Sequence, residues 1–169
     1  KCNTNSQCNS NQICQNGICI FTHKNCTNTC FNHGNCTLIN SNSFSIVNTC
    51  YVNDVTCIAK CNCHQGYYGD SCSTSYYENQ NNTIIREQLL QGLNNVTKVQ
   101  NPTQQTLVSW SNSLSSSSKV TSELSTTSIK LIQTVSNAIV QNALVLGMSN
   151  SNIKTVLSSL NTASVASLT

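Results

Sequence analysis

The sequence predicts two fold classes in one chain: a small disulfide-rich N-terminal part with short β-hairpins, and an all-α C-terminal part. All 12 cysteines of the 169 residues lie between Cys2 and Cys72. An even cysteine count in a short segment with little aliphatic core is typical of a secreted, disulfide-stapled module. From residue 73 to residue 169 cysteine is absent and apolar residues recur at helical spacing. We therefore expect an extracellular protein, secreted or at the cell surface.

Residues 1–20 form the first predicted module, whose core consists of four cysteines, Cys2, Cys8, Cys14 and Cys19. Four cysteines allow three pairings. We favour alternate pairing, Cys2 with Cys14 and Cys8 with Cys19, because it closes two interlocked loops around the Asn16-Gly17 turn. The spacing resembles small extracellular cysteine repeats of the EB-module kind.

Two motifs mark the second predicted module, residues 26–72. Its start reads CTNTCFNHGNC, and its end reads CNCHQGYYGDSC, which follows the pattern C-x-C-x-x-G-Y-x-G-x-x-C. Gly66 and Gly69 permit the tight turns of a final hairpin, and Tyr67 packs over a bridge. Together the two motifs resemble an epidermal-growth-factor-like (EGF-like) domain.

The EGF-like resemblance implies three disulfides, Cys26–Cys36, Cys30–Cys61 and Cys63–Cys72. Two cysteines, Cys50 and Cys57, are then left over, in an interval that is longer than the family normally has. We interpret residues 37–60 as an inserted loop closed by a Cys50–Cys57 disulfide. Each bridge stabilises such a module by roughly 2–5 kcal/mol, which a core this small requires.

Residues 73–169 are predicted to form a bundle of about four helices. The first has a capping-box signal at Ser75 and Glu78, and its apolar face consists of Ile85, Leu89, Leu93 and Val96. The second has Asn101 as N-cap and Pro102 as its first helical residue, and a run of serines at residues 115–118 ends it. Its aligned apolar residues are Leu107, Trp110 and Leu114.

The third helix is expected to begin near Thr121 or Ser122 and to end at Gly147. Its apolar residues are Ile129, Ile132, Val135, Ile139 and Leu146. The fourth is expected from about Asn150, with Ile153, Leu157, Leu160 and Ala163 on one face. Because serine, threonine and β-branched residues have weak helix propensity, packing against a partner is expected to help hold the bundle together.

Trp110 is the only aromatic residue after Tyr77. Beside Leu107 and Leu114 it is first of all a core anchor, and the alternative is an exposed hot spot for binding another protein. It is therefore the candidate protein contact.

The composition is polar but weakly charged, with 8% charged residues against about a quarter in typical domains. The net charge of +3 forms no basic stripe, so we expect no nucleic-acid partner. No apolar run approaches the roughly 18 residues of a membrane span. Four Asn-x-Thr sequons predict N-linked glycans that add solubility, at Asn25, Asn35, Asn81 and Asn95.

No residue pattern indicates catalysis, a metal or a cofactor. Cys61, Cys63 and His64 lack the spacing of a zinc site, and residues 21–25 offer no carboxylate for calcium. The other two histidines, His23 and His33, also lie in the disulfide region, and neither a G-x-S-x-G motif nor a Gly-rich phosphate loop is present. We predict that the protein is not an enzyme.

These features favour a structural glycoprotein, a self-associating subunit of an extracellular filament or coat. Protist flagellar-hair (mastigoneme) proteins are similar in combining EGF-like modules with long polar segments. The alternative is a receptor stalk, because REQLLQGLNNVTKV and the segment that follows resemble the helical subdomain of adhesion and polycystin-like receptors. A diffusible EGF-like ligand is the least favoured hypothesis, because a long helical tail would have to be accommodated at its receptor.

Overall fold

The computed structural model describes residues 1–168. The chain divides into two compact units, the first spanning Lys1–Ser75 and the second beginning at Tyr76. The predicted fold class is confirmed, since the first unit contains short antiparallel hairpins and six disulfides and the second contains four helices.

A tight hairpin forms the N-terminal module. Strand β1 (Gln12–Gln15) pairs with β2 (Ile18–Phe21), and the two residues between them, Asn16 and Gly17, have φ values of 52° and 78°. Positive φ at both positions is the requirement of a type I′ turn, which an Asn-Gly pair meets. The Cys2–Cys14 and Cys8–Cys19 disulfides tie this hairpin to the preceding segment.

The sheet of the second module consists of β3 (Gly34–Asn40) and β4 (Cys57–Cys63), in the register that places Cys36 opposite Cys61. The expected inserted loop is therefore shorter than residues 37–60. Its first and last four residues continue the β3–β4 ladder, because this stretch is rich in residues suited to strands. The Cys50–Cys57 disulfide closes the remaining loop.

Polar contacts hold the inserted loop against the sheet. The Lys24 Nζ donates hydrogen bonds to the carbonyl oxygens of Asp54, at 2.5 Å, and Cys57, at 2.7 Å. The hydroxyl and the backbone N–H of Thr56 donate to the Asp54 carboxylate and hold the pKa of that carboxyl below its usual value.

Disulfides take the place of an aliphatic core in this module. The bridges are Cys26–Cys36, Cys30–Cys61 and Cys63–Cys72, the three pairs that the EGF-like resemblance implies. Tyr67, in β5 (Tyr67–Tyr68), packs against the buried cysteines and stacks on the His33 ring with centroids 3.8 Å apart. Strand β5 pairs with β6 (Thr74–Ser75), which completes the final hairpin.

A left-handed turn follows the first bridged cysteine of this module and includes the second. Every residue from Asn28 to Asn32 has φ between 45° and 60°, a conformation that costs roughly 1–2 kcal/mol per residue for side chains other than glycine. Cys26 precedes this turn and Cys30 lies inside it, and each is bonded to the sheet. The two disulfides thus fix a backbone that the local sequence alone disfavours.

Four helices form the second unit: α1 (Tyr76–Val99), α2 (Gln104–Ser118), α3 (Thr126–Leu146) and α4 (Asn150–Ala166). The largest fully buried side chains are aliphatic and come from all four helices, Leu90, Leu107, Leu114, Ile132, Val135, Ile139 and Val156. Buried serines, such as Ser111 and Ser136, fill positions between them.

Three predicted helix boundaries are wrong. Thr103, not Asn101, is the N-cap of α2, because Thr103 and Thr106 form a reciprocal capping box. The serine run does not break α2, which continues to Ser118. Residues Thr121–Glu123 form a separate 3-10 turn, so α3 begins only at Thr126 after its cap Ser125. The predicted stop at Gly147 is confirmed by its left-handed φ of 70°.

Three predicted apolar faces are partly wrong. On α1 the buried apolar residue is Leu90, whereas Ile85 and Leu89 are more than half exposed. On α3 the last buried position is Ala143 instead of Leu146, and on α4 it is Val156 that is buried instead of Leu157. In each case polar or small residues occupy part of the buried side of the helix. A face chosen by its large apolar residues is therefore rotated away from the side that is buried.

Trp110 is a core residue. It is 3% exposed, and its indole N–H donates to the Gln100 side-chain oxygen at 3.1 Å. The predicted protein contact at Trp110 is therefore wrong for the folded unit, and the core-anchor alternative describes its position.

Helix α3 is long and apolar enough, by length and composition only, to cross a membrane. Its mean hydropathy over the best window is 1.2, and a third of that window is buried inside the protein. Core helices of soluble proteins meet the same criterion, so this property does not by itself place α3 in a membrane.

Gly34 occupies a position where the sheet and a disulfide meet. A β-carbon there would lie 2.6 Å from the Asn62 carbonyl oxygen and 2.7 Å from Cys72 Sγ. We expect Gly34→Ala to destabilise this module by about 1–3 kcal/mol through overpacking, measured as faster amide hydrogen exchange along β3 and β4. Asn35→Gln, at an exposed position of the same strand, is the control, and unchanged exchange in Gly34→Ala would contradict the close approach.

Candidate interaction surface on the helical unit

An apolar stripe runs along the exposed side of α1. It consists of five residues, hereafter the α1 stripe: Ile85, Leu89, Gly92, Val96 and Val99. Successive members are four, three, four and three residues apart, the spacing that keeps one side of a helix facing a helical partner. The four large side chains are 53%, 57%, 40% and 84% exposed in chain order, so the stripe is open to solvent.

Next to the stripe, on the side of α1 that faces the rest of the helical unit, an ion pair holds the helix. Arg86 Nε donates to the Glu123 carboxylate, with Glu123 buried in the connection between α2 and α3. The Arg86 guanidinium also donates to the last carbonyls of α2, at 3.2 Å to Ser116 and 3.1 Å to Ser117. One side chain therefore joins α1, the end of α2 and the following turn.

Three neighbouring side chains extend this contact. Asn82 donates to the second Glu123 oxygen at 2.8 Å, and Asn79 donates to the Ser122 carbonyl at 3.0 Å. The Glu87 carboxylate accepts from the hydroxyl of the α3 cap Ser125 at 2.5 Å. We name the four α1 residues that make these contacts the α1 clasp: Asn79, Asn82, Arg86 and Glu87. The α1 clasp directs polar residues inward and so leaves the α1 stripe outward.

A shallow groove lies beside the stripe, between α1 and α2. It comprises two depressions of about 290 and 620 Å³ that share Leu89, Ser116 and Ser117 in their walls. Ile85 and Gly92 continue the α1 wall. Because the α2 wall is made of small polar side chains, the apolar contact area of the groove comes mainly from the stripe.

The surface around the stripe is nearly uncharged. Between Ile85 and Val99 the charged residues are Arg86, Glu87 and Lys98. The first two are engaged in the α1 clasp. A partner of the same composition would therefore meet little like-charge repulsion along this side of α1.

All four predicted glycan acceptors are exposed, at Asn25, Asn35, Asn81 and Asn95. Asn95 directly precedes Val96 and lies one helical turn before Val99. Glycosylation at the four positions stays a prediction, and glycans at Asn95 and at Asn81, which lies four residues before Ile85, would both lie beside the α1 stripe.

The most exposed apolar side chains outside the α1 stripe include two groups of neighbours. In the inserted loop Phe44, Ile46 and Val55 are 82%, 74% and 88% exposed, and at the end of α3 Leu144 and Val145 are each 83% exposed. Neither group has the four-three spacing that distinguishes the α1 stripe.

The cysteines considered for zinc binding, and the histidines His23 and His33, have other partners. Cys61 is bonded to Cys30 and Cys63 to Cys72, so neither offers a thiolate to zinc. Sulfur atoms also cluster at Cys2, Cys8 and Cys19, but each of these belongs to a disulfide. His23 stacks on Tyr51 with ring centroids 4.7 Å apart. The absence of enzymatic activity stays a prediction.

Comparison of the chain with protein-family models, with curated proteins and with solved structures finds no match. The EGF-like resemblance therefore stays an expectation from the cysteine and glycine motif.

The α1 clasp gives a testable stability effect. Glu123→Gln leaves the Arg86 charge without its carboxylate, and we expect the helical unit to lose about 2–3 kcal/mol, measured by denaturant unfolding with the single Trp110 as fluorescence probe. Arg86→Met combined with Glu123→Gln should cost less than the sum of the two single changes. Lys98→Gln is the exposed control. Strictly additive losses would contradict a direct ion pair.

Proposed function

We propose that this protein is a non-enzymatic extracellular structural subunit of a filament or coat, in which the α1 stripe forms the contact within a dimer. The α1 stripe is the observation that carries the proposal, because a long helix in a disulfide-stabilised chain leaves a regular apolar side in water. The six disulfides suit an oxidising extracellular location and a module that resists unfolding.

A second copy of the chain is the partner that fits the stripe. Alternating four- and three-residue spacing is satisfied by another helix with the same repeat, and α1 of a second copy supplies one. Gly92 lies at the centre of the stripe, and nothing lies within 4 Å of the position its β-carbon would occupy. Two α1 helices can therefore approach closely there. A contact of this kind uses the same patch on both copies, as two-fold dimers do.

The N-terminal modules have a different role in this proposal. The disulfide-bonded unit is an EGF-like module of the subunit, and predicted glycans keep its surface soluble. The exposed Phe44 and Val55 side chains of the inserted loop then offer a further contact between neighbouring subunits.

Substitution within the stripe should weaken self-association without unfolding the helix. We expect Leu89→Gln to raise the dimer dissociation constant about tenfold or more, equivalent to about 1.4 kcal/mol, in sedimentation velocity of the glycan-free full chain. Ile84→Gln is the matched control, since Ile84 is 56% exposed on the same helix but outside the stripe. Equal effects of the two changes, or a monomer at every concentration, would contradict the proposal and favour the receptor-stalk alternative.

A glycan at Asn95 and a second copy on the stripe compete for the same surface. We expect Asn95→Gln, expressed in secretory cells, to associate more strongly than the wild-type chain in size-exclusion chromatography with light scattering. Asn25→Gln is the control, because Asn25 lies in the disulfide-rich unit. Association that is unchanged by Asn95→Gln, in material whose Asn95 is shown to be glycosylated, would place the contact away from the stripe.

A further inference from the structure

Two of the four sequons share one disulfide. Cys26 is the middle residue of the sequon that begins at Asn25, and Cys36 is the middle residue of the sequon that begins at Asn35. These two cysteines are bonded to each other, with Cα atoms 5.7 Å apart. The two acceptor asparagines, both exposed, therefore flank a single cross-link.

The cross-link restricts the backbone of both sequons. The Cys26 N–H donates to Cys36 Sγ at 3.2 Å, so main chain and bridge are packed together. Asn35 is also part of the β3–β4 ladder, where it lies opposite Asn62. The Thr37 hydroxyl of the same sequon donates to the Lys60 carbonyl at 3.1 Å. Once folded, the Asn35 sequon has its hydroxyl, its strand and its middle side chain all engaged.

Glycan transfer needs the same groups free. The Asn side-chain nitrogen forms a bond to the anomeric carbon of a lipid-pyrophosphate-linked oligosaccharide. The carbon–oxygen bond to pyrophosphate breaks, the lipid pyrophosphate leaves with the electron pair, and the amide proton passes to a base of the transferase. Because the enzyme reads both the asparagine and the hydroxyl two residues later, it must reach both sides of the middle residue. A disulfide at that residue obstructs this access.

The order of synthesis separates the two sequons. Chains fold from the N-terminus as they are made. The Asn25 sequon is complete before Cys36 exists, so the partner of Cys26 is absent while that sequon is still free. The Asn35 sequon is complete only at Thr37, when Cys26 and Cys36 are both present. An oxidant of the secretory route can then take two electrons and two protons from these thiols before a glycan is added.

We propose that closure of the Cys26–Cys36 disulfide blocks glycan addition at Asn35 while leaving addition at Asn25 intact. The glycan content of this module is thereby set by how quickly one bridge closes, and a reducing secretory compartment yields a more heavily glycosylated form. The proposal rests on the extracellular location argued above, and not on self-association through the α1 stripe.

Mass spectrometry tests the proposal by measuring glycan occupancy at each asparagine. The sample is the full chain recovered from whole secretory cells. In the wild type we expect Asn25 to be mostly occupied and Asn35 mostly unoccupied. Cys26→Ser leaves the Asn35-Cys36-Thr37 sequon unchanged, and we expect it to make the glycosylated form of Asn35 the major one. Treating cells that express the wild type with a membrane-permeable thiol reductant should have the same effect without a substitution.

Two controls separate the bridge from general unfolding. Cys36→Ser preserves the sequon at Asn25 and should leave its occupancy unchanged. Cys30→Ala with Cys61→Ala loosens the sheet but keeps the Cys26–Cys36 pair, and Asn35 should stay mostly unoccupied. Full occupancy of Asn35 in the wild type, a rise in the Cys30/Cys61 control, or no rise in Cys26→Ser would overturn the proposal.

The sequons on α1, at Asn81 and Asn95, distinguish a failure of this proposal from a failure of the extracellular location on which it rests. Glycans on Asn81 or Asn95 with none of the expected changes at Asn35 would refute the bridge-controlled occupancy alone. An absence of glycans at all four asparagines would refute both the bridge-controlled occupancy and passage through a glycosylating route.

Discussion

The ion pair between Arg86 and Glu123 determines which side of α1 faces the rest of the helical unit. Arg86 links α1 to the Glu123 carboxylate and to the last turn of α2, and Glu87 links α1 to the cap of α3. Because a charged and hydrogen-bonded group is costly to bury without its partner, this rotation of α1 is strongly preferred. The outward position of Ile85, Leu89 and Val96 follows from it, and with it the proposed contact between subunits.

The disulfide-rich unit has little apolar core, and covalent bonds hold it together instead. Its large apolar residues are few, and several of them, including Ile18 and Phe44, are exposed. Bridges from Cys26 and Cys30 instead hold a left-handed turn against β3 and β4. Two of these cysteines, Cys26 and Cys36, are also the middle residues of sequons. We propose that the bond between them, which is needed for folding, also controls access to Asn35. In that proposal, folding and glycosylation of this module are coupled through one cross-link.

The sequence predicted those features that depend on local chemistry. Cysteine spacing indicated the hairpin module, the EGF-like resemblance implied three of the bridges, Asn16-Gly17 indicated the turn, and Gly147 indicated the end of α3. The side of α1 that faces the other helices could not be predicted, because it depends on pairing between Arg86 and a glutamate 37 residues away. No pattern within the helix indicates that contact. The apolar spacing was visible, but spacing alone does not state whether a stripe faces a core or a partner.

Hydroxyl-radical footprinting of adjacent residues on α1 tests the central claim most directly. In dilute, glycan-free protein the account predicts fast oxidation at Leu89, which is 57% exposed, and slow oxidation at Leu90, which is fully buried. On concentration, oxidation at Leu89 should fall while that at Leu90 stays low. Comparable oxidation of the two leucines in dilute protein would contradict the rotation of α1, and a Leu89 rate that is independent of concentration would contradict the contact between copies.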